Sequence, residues 1–277
     1  MAAEAVDEEH QRWLDSGWRQ GSLIIAGDLV GAPVSWWPST PALDANTDLA
    51  VVITQTCDLV HHDQEKEPVV EFILVRQPKT ASDRFRRGRH PRILQFDVAG
   101  PQPPVREAVI THRGWMPRDA LLTMKPIGDV ASEDLPSLQT WLGNRYTRKA
   151  MPDAFWERLS DKKQRKTLMA VLEACGADVI NVFISLEPRE TELPAGTPYV
   201  VAVKVAVPRG VKQDAVAHRR VAQDVLEPLM ELFEKSGGFA LLTDECEVIG
   251  ANELTLDLLM ELETLDDSYT PLDDDAG

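Results

Sequence analysis

Short apolar runs divided by turn-forming clusters fill the first half of the chain, and a helical period takes over after about residue 130. Leu23-Ile-Ile-Ala26 and Val34-Ser-Trp-Trp37 read as short strands. A loop rich in Pro, Ser, Asp and Asn follows, from Pro38 to Thr47. Leu49 to Gln55 is apolar at odd and even positions alike, which suits a strand buried on both faces. Val69 to Val75 is the next strand, and Ile93 to Val98 and Glu107 to Thr111 are weaker ones. No long helical pattern interrupts them, so about five to seven strands should close into an antiparallel barrel or curled sheet. Ahead of them, Glu4 to Ser16 fits an amphipathic helix with Trp13 and Leu14 inward and Gly17 at its end.

The second half reads differently. A helix should begin near Asp134-Leu-Pro-Ser-Leu138. Another, capped by Ser160 or Asp161, should run to Cys175 with Leu168, Val171, Leu172 and Cys175 as its inner stripe and Gly176 at its end. Val179 to Leu186 and Tyr199 to Val207 read as strands. A long helix from Asp214 to Lys235 should be kinked or divided by Pro228. Phe239 to Thr243 and Cys246 to Ile249 suggest a last strand or a hairpin, and Leu254 to Leu265 an acidic amphipathic helix. The reading is an α+β protein. A β-rich, barrel-like domain occupies 1–130, a helical connector 131–177, and an α/β unit with helices packed on a small sheet 178–265. The acidic tail 266–277 is too polar to fold alone.

Composition narrows the classes. The chain has 277 residues, 43% of them apolar, which suffices for one large domain or two small ones. No apolar stretch approaches the ~18 residues of a membrane span, so no membrane partner is expected. The acidic N-terminus lacks the basic and apolar regions of a secretory signal. Three cysteines, Cys57, Cys175 and Cys246, are odd in number and widely spaced; they form no disulfide framework and point to the cytoplasm. The formal charge of −16 argues against nucleic acid as a partner, but it is unevenly spread. Arg84-Phe-Arg-Arg-Gly-Arg-His-Pro-Arg92 holds five arginines in nine residues.

Chemistry concentrates just after the central strand. Cys57, Asp58, His61 and His62 fall within six residues. Cys57 could act as a thiolate if His61 or His62 served as base, with Asp58 or Asp63 orienting the imidazole. The alternative is a small packed side chain beside a turn-capping aspartate. Cys-x-x-x-His supplies only two metal ligands and meets no standard spacing, so no metal is expected. Arg84, Arg86, Arg87 and Arg89, with Phe85 or His90 to stack on a base, form a candidate phosphate or nucleic-acid surface; the alternative is a solvated loop pairing with the chain's own acids. Arg145-Tyr-Thr-Arg148 could clamp an anion or complement a helix dipole. Asp244-Glu-Cys-Glu247 could be a general acid/base or cation site, and reads more simply as an exposed turn. Trp18, Trp36, Trp37 and Trp115 read as barrel core. No nucleotide-binding, hydrolase or zincin motif occurs, and no cofactor is expected.

The strand leading into Thr54-Gln-Thr-Cys-Asp-Leu59 resembles a signature of bacterial proteins from mobile or defence-associated gene neighbourhoods, in which a strand precedes Ser/Thr-Gln-x-Cys-Asp-Leu/Ile. Arg145-Tyr-x-Arg-x-x-x-Pro152 is similar to a second element of that group. Trp18-Arg-Gln-Gly21 and Ala50-Val-Val-Ile-Thr54 are similar to the opening and second strand of the PemK/MazF ribonuclease toxins. That likeness implies a small SH3-like (PemK-like) barrel. The family needs an Arg-Pro pair before this strand for cleavage, and Thr47-Asp48 stands there instead. The expectation is a binding or regulatory component of a defence or toxin-like system, engaging a nucleic-acid or phosphate-bearing ligand with Gln55, Cys57 and the arginines. The alternatives are a Cys57-dependent hydrolase or transferase, and an interaction subunit docking through its acidic C-terminal helix.

Overall fold

The computed structural model describes residues 10–38, 41–61, 63, 65–147 and 151–265. His62, Arg148 and the tail 266–277 lie outside them, as do residues 4–9 of the predicted N-terminal helix. The described chain is α+β and forms two compact units. The first comprises 1–81 and 86–143; the second comprises 82–85 and 144–277. The helical stretch expected as a connector is shared between them. Among the described residues no helix is long and apolar enough to cross a membrane.

The first unit opens with helix α1 (10–16), which buries Trp13 but leaves Leu14 half-exposed, against expectation. Seven strands follow: β1 (Leu23–Ile25), β2 (Ser35–Trp37), β3 (Leu49–Val52), β4 (Val69–Arg76), β5 (Ile93–Ala99), β6 (Val105–Pro117) and β7 (Asp129–Val130). They pair antiparallel in the order β1-β3-β4-β6-β5-β7, with β2 on β6. Main-chain bonds from Leu23 N to Gly128 O (2.9 Å) and from Val130 N to Gly21 O (2.8 Å) bring the last strand back to the first, so the sheet is nearly closed. One face packs Leu23, Val51, Ile73, Phe96 and Ile110 beneath Leu138 and Trp141 of α5 (Leu135–Thr147). The other packs Trp13, Trp18, Val52, Leu59, Phe72 and Met116. All four residues of β3 are buried, as a strand apolar on both sides requires.

β6 is far longer than the five residues read from the pattern. It bends where its register against β4 slips, between Ile73–Arg113 and Val75–Ala108. Its first half pairs with β5 and its second with β2. A bulge of this kind bends and twists the strand, which lets one strand serve both sides of a closed sheet. Two short helices also lie in this unit, α2 (Ala26–Leu29) and α3 (Thr56–Leu59), with α4 (Arg118–Leu121) after β6.

The second unit holds α6 (Asp153–Glu157), α7 (Lys162–Ala174), β8 (Asn181–Glu187) and β9 (Tyr199–Val207). Asp161 caps α7 through Lys163 N and Gln164 N, and Leu168, Val171, Leu172 and Cys175 are buried as the stripe predicts. The long helix is divided into α8 (Arg209–Gln213), α9 (Ala215–Val221), a π-turn (Ala222–Leu226) and α10 (Glu227–Lys235). Glu227 N bonds Ala222 O, the wider ring that accommodates Pro228 and its missing amide hydrogen. β10 (Phe239–Leu241) and β11 (Glu247–Gly250) both pair parallel with β9, so they are one interrupted edge and not a hairpin. The predicted C-terminal helix is only α11 (Leu256–Glu261); its second half is β12 (Leu262–Thr264), paired with β8. Three residues are too few for a period to tell helix from strand.

Candidate functional site

After β3 the chain turns sharply. Thr54 Oγ1 accepts Glu71 N (2.7 Å) in place of a ladder bond, and Thr56 Oγ1 accepts Gln20 N (3.1 Å). Gln20 Nε2 donates to Ile53 O at 2.8 Å. Leu59 is fully buried and pins α3. Arg118, almost wholly buried, donates to Asp58 O (3.4 Å) and stands 5.1 Å over the Trp13 ring. The corner is therefore rigid, and it presents Gln55, Thr56 and Cys57 to solvent.

Among the described residues, the groups that touch the thiol are acceptors. Cys57 Sγ lies 3.3 Å from Asp58 Oδ1 and 3.6 Å from Gln55 Oε1, its hydrogen-bond partners among the described residues. The hydrogen bond to Asp58 holds the thiol pKa above its ordinary value, followed by desolvation and the carboxylate's charge. A reactive cysteine needs the opposite neighbourhood, a cation or a base. Nδ1 of His61 accepts Asp63 N at 3.0 Å. Cys57 and Asp58 thus come together, with the carboxylate disfavouring the thiolate. Among the described residues no three His, Cys, Asp or Glu side chains gather as metal ligands.

The arginine run is not one open patch. Arg84 and Phe85 belong to the second unit, where the Arg84 guanidinium lies 5.1 Å over the Phe85 ring and burial lowers its pKa. Arg86 forks onto Asp97 (2.8 and 3.2 Å) and reaches Asp134 at 3.6 Å. Arg89 is buried. His90 accepts Arg92 N and Ile93 N on Nδ1 (3.2 and 2.9 Å), and its carbonyl accepts Trp141 Nε1 at 2.8 Å. These bonds build a rigid turn. At its tip Arg87 is exposed with φ of 59°, followed by Gly88 at φ 73°, which packs on Trp141. Arg92 is exposed at the head of β5, and Arg145 is exposed on α5.

No protein-family model matches the chain, and no curated protein matches it. Its site is therefore read from its own geometry.

One feature escaped the sequence. Trp36 and Trp37 occupy consecutive positions of β2, so their side chains point to opposite faces. Trp36 turns inward, edge-on to Phe72 with ring centroids 5.2 Å apart. Trp37 is 54% exposed, and Trp115 on β6 is 38% exposed. Neither belongs to the barrel core assigned to it from composition. The adjacency of two indoles in a strand was the available signal, since both cannot face inward. Arg118 and Arg106 were also missed. Both are buried cations that donate to main-chain carbonyls, a role that no residue type announces.

Proposed function

We propose that the protein is a non-catalytic binding component of a bacterial defence or toxin-like system, and that its first unit engages a nucleic-acid or other phosphate-bearing ligand. The observation that carries the reading is Arg87. Among the described residues it is the one non-glycine residue with positive φ, and its side chain is exposed. A strained backbone persists only where its surroundings over-determine it, and it concentrates at sites that must present a group in a fixed place. Here Arg86 on Asp97 and Gly88 against Trp141 supply that constraint. Arg87 and Arg92 are both exposed, and a guanidinium is a planar donor suited to phosphate. The Cys57–Asp58 pair favours this over a thiol-dependent hydrolase, because a carboxylate beside the sulfur opposes ionisation.

The test is fluorescence anisotropy of labelled RNA and DNA at low and raised salt. Binding that weakens with salt and falls in Arg87→Glu and Arg92→Glu, but not in Cys57→Ser, supports the reading. No salt-dependent binding at low ionic strength refutes it.

A second reading has its own observation. Leu256, Leu259 and Met260 of α11 are exposed, which supports protein docking through the acidic C-terminal helix. Loss of a co-purifying partner in Leu256→Lys with Met260→Lys would support it. Truncation after Ile249 would not test it, because β12 would be lost from the sheet.

A further inference from the structure

We infer that the open face of the first unit bearing Trp37 and Trp115 is a base-stacking surface for single-stranded nucleic acid. The inference rests on the reading that the ligand carries phosphates, and it adds the strandedness and a second group of contact residues.

The register defines the surface. Ser35 pairs with Trp115 and Trp37 with Arg113 across β2 and β6; Glu71 and Ile73 pair with the same two residues from β4. Paired residues share a face. Ser35, Trp37, Arg113, Trp115, Glu71 and Val69 therefore lie on one side of three adjacent strands. This side continues the apolar face that holds Ile73 and Val75, but beyond Ile73 it is uncovered: Trp37, Trp115, Val69 and Glu71 are all exposed. Trp37 and Trp115 are diagonal cross-strand neighbours, a spacing of about 7–8 Å within reach of aromatic side chains.

The face is held firmly from behind. Trp36 and Phe72 meet over Gly114, where a Cβ would come within 2.7 Å of the Phe72 ring and 3.0 Å of Trp36. The Trp36 and Phe72 rings can meet across β6 because residue 114 has no side chain, and Trp37 is presented from a strand anchored by its partly buried neighbour.

Charge selects the occupant. The cation on the face is Arg113, whose guanidinium lies 3.9 Å from Glu71. Arg92 sits beside the same edge of β6, its carbonyl accepting Ile110 N at 2.9 Å. Arg113 is three positions beyond Ile110, at most about 10 Å along the strand. Arg92, exposed at the head of β5, thus stands on the same edge of β6 as Trp37. Indole faces flanked by guanidiniums match a chain of alternating phosphates and flat bases. A duplex hides its bases and offers only phosphate, which this strongly acidic protein would repel over most of its surface.

The experiment is anisotropy of a labelled oligothymidylate or oligouridylate of about ten nucleotides, with a hairpin duplex as comparator. The wild-type chain should prefer the single strand. Trp37→Ala and Trp115→Ala should each weaken single-strand binding about tenfold and leave duplex binding unchanged. Trp115 is 38% and Trp37 54% exposed, so the alanine variants lose some packing and are compared at temperatures where each remains folded by circular dichroism. As a second readout, single-stranded ligand should quench tryptophan emission in the wild type, and Trp37→Phe with Trp115→Phe should lose most of that quenching. If Arg87→Glu and Arg92→Glu lower affinity while the double tryptophan variant binds like wild type, the stacking inference is overturned and the broader reading stands. If the wild type binds neither probe at low salt, both fall.

Discussion

Replacing Gly114 by alanine tests how the tryptophan face is built. The new Cβ would lie 2.7 and 2.8 Å from Phe72 Cε2 and Cζ and 3.0 Å from Trp36 Cε3. Comfortable carbon contacts are about 3.5–4.0 Å, so the shortfall is roughly 0.5–1 Å on two sides. Phe72 is fully buried in a four-strand neighbourhood and cannot retreat. Trp36 belongs to a three-residue strand paired only with β6, so β2 is the element that must give. Over-packing of this kind costs about 1–3 kcal/mol. For a unit of this size that corresponds to a fall of roughly 3–10 °C in melting temperature. The assay is thermal unfolding followed by circular dichroism and tryptophan emission. Single-strand affinity should fall as well, because Trp37 moves with β2. A variant that melts like the wild type and keeps its emission would show that β2 is not anchored through Trp36, and the argument for a rigid aromatic face would fail.

Other outcomes follow from the same geometry. Asp58→Asn removes the carboxylate that holds the Cys57 thiol protonated, so the iodoacetamide alkylation profile should shift to lower pH; an unshifted profile would clear Asp58 of that role. Arg87→Gln should shallow the salt dependence of single-strand binding by roughly 0.7 in log–log slope, the value for one lost phosphate contact. Asp161→Ala removes the cap of α7 and should cost about 1 kcal/mol in urea unfolding. Burial raises the pKa of Asp134 above its ordinary value, with the Asp97 amide and Arg86 opposing it. In the pH window between its unfolded and folded values the native state binds the extra proton. This group's contribution to stability therefore falls as pH rises through that window. Asp134→Asn should flatten that part of the stability–pH curve.

The elements that could be read from the sequence are those whose burial is written in continuous apolar runs. β3, β4 and β9 were visible because residues such as Val51–Val52 and Val203–Val207 are buried on both faces or nearly so. β6 was cut short because its middle carries His112, Arg113 and Gly114, residues chosen by a bulge and a close approach and not by propensity. The parallel pairing of β10 and β11 on β9 leaves no local trace, since it depends on a crossover through three helical segments. The corner at Cys57 was found because strand and reactive residues adjoin in sequence. The charge state of its sulfur was not, because a neighbouring aspartate reads equally as orienting group or as repellent. In the arginine run, side chains alike in sequence part ways through acids distant in the chain: Asp97 and Asp134 hold Arg86 half-buried, while Arg87 is exposed at the tip.

Two identical side chains in succession give β2 a latent ambiguity. A shift of one position in one direction along β6 would still offer an indole, Trp37, to the space above Gly114, so that cavity does not by itself choose between Trp36 and Trp37. The flanking residues break the tie. Moving one way would push Ser35 into an oily recess, and moving the other would set Pro38, with no hydrogen to donate, opposite Arg113. Lengthening or shortening the stretch before β2 would therefore act as a mispairing lesion, and swapping Ser35 for an apolar residue would remove the guard against one of the two wrong alignments.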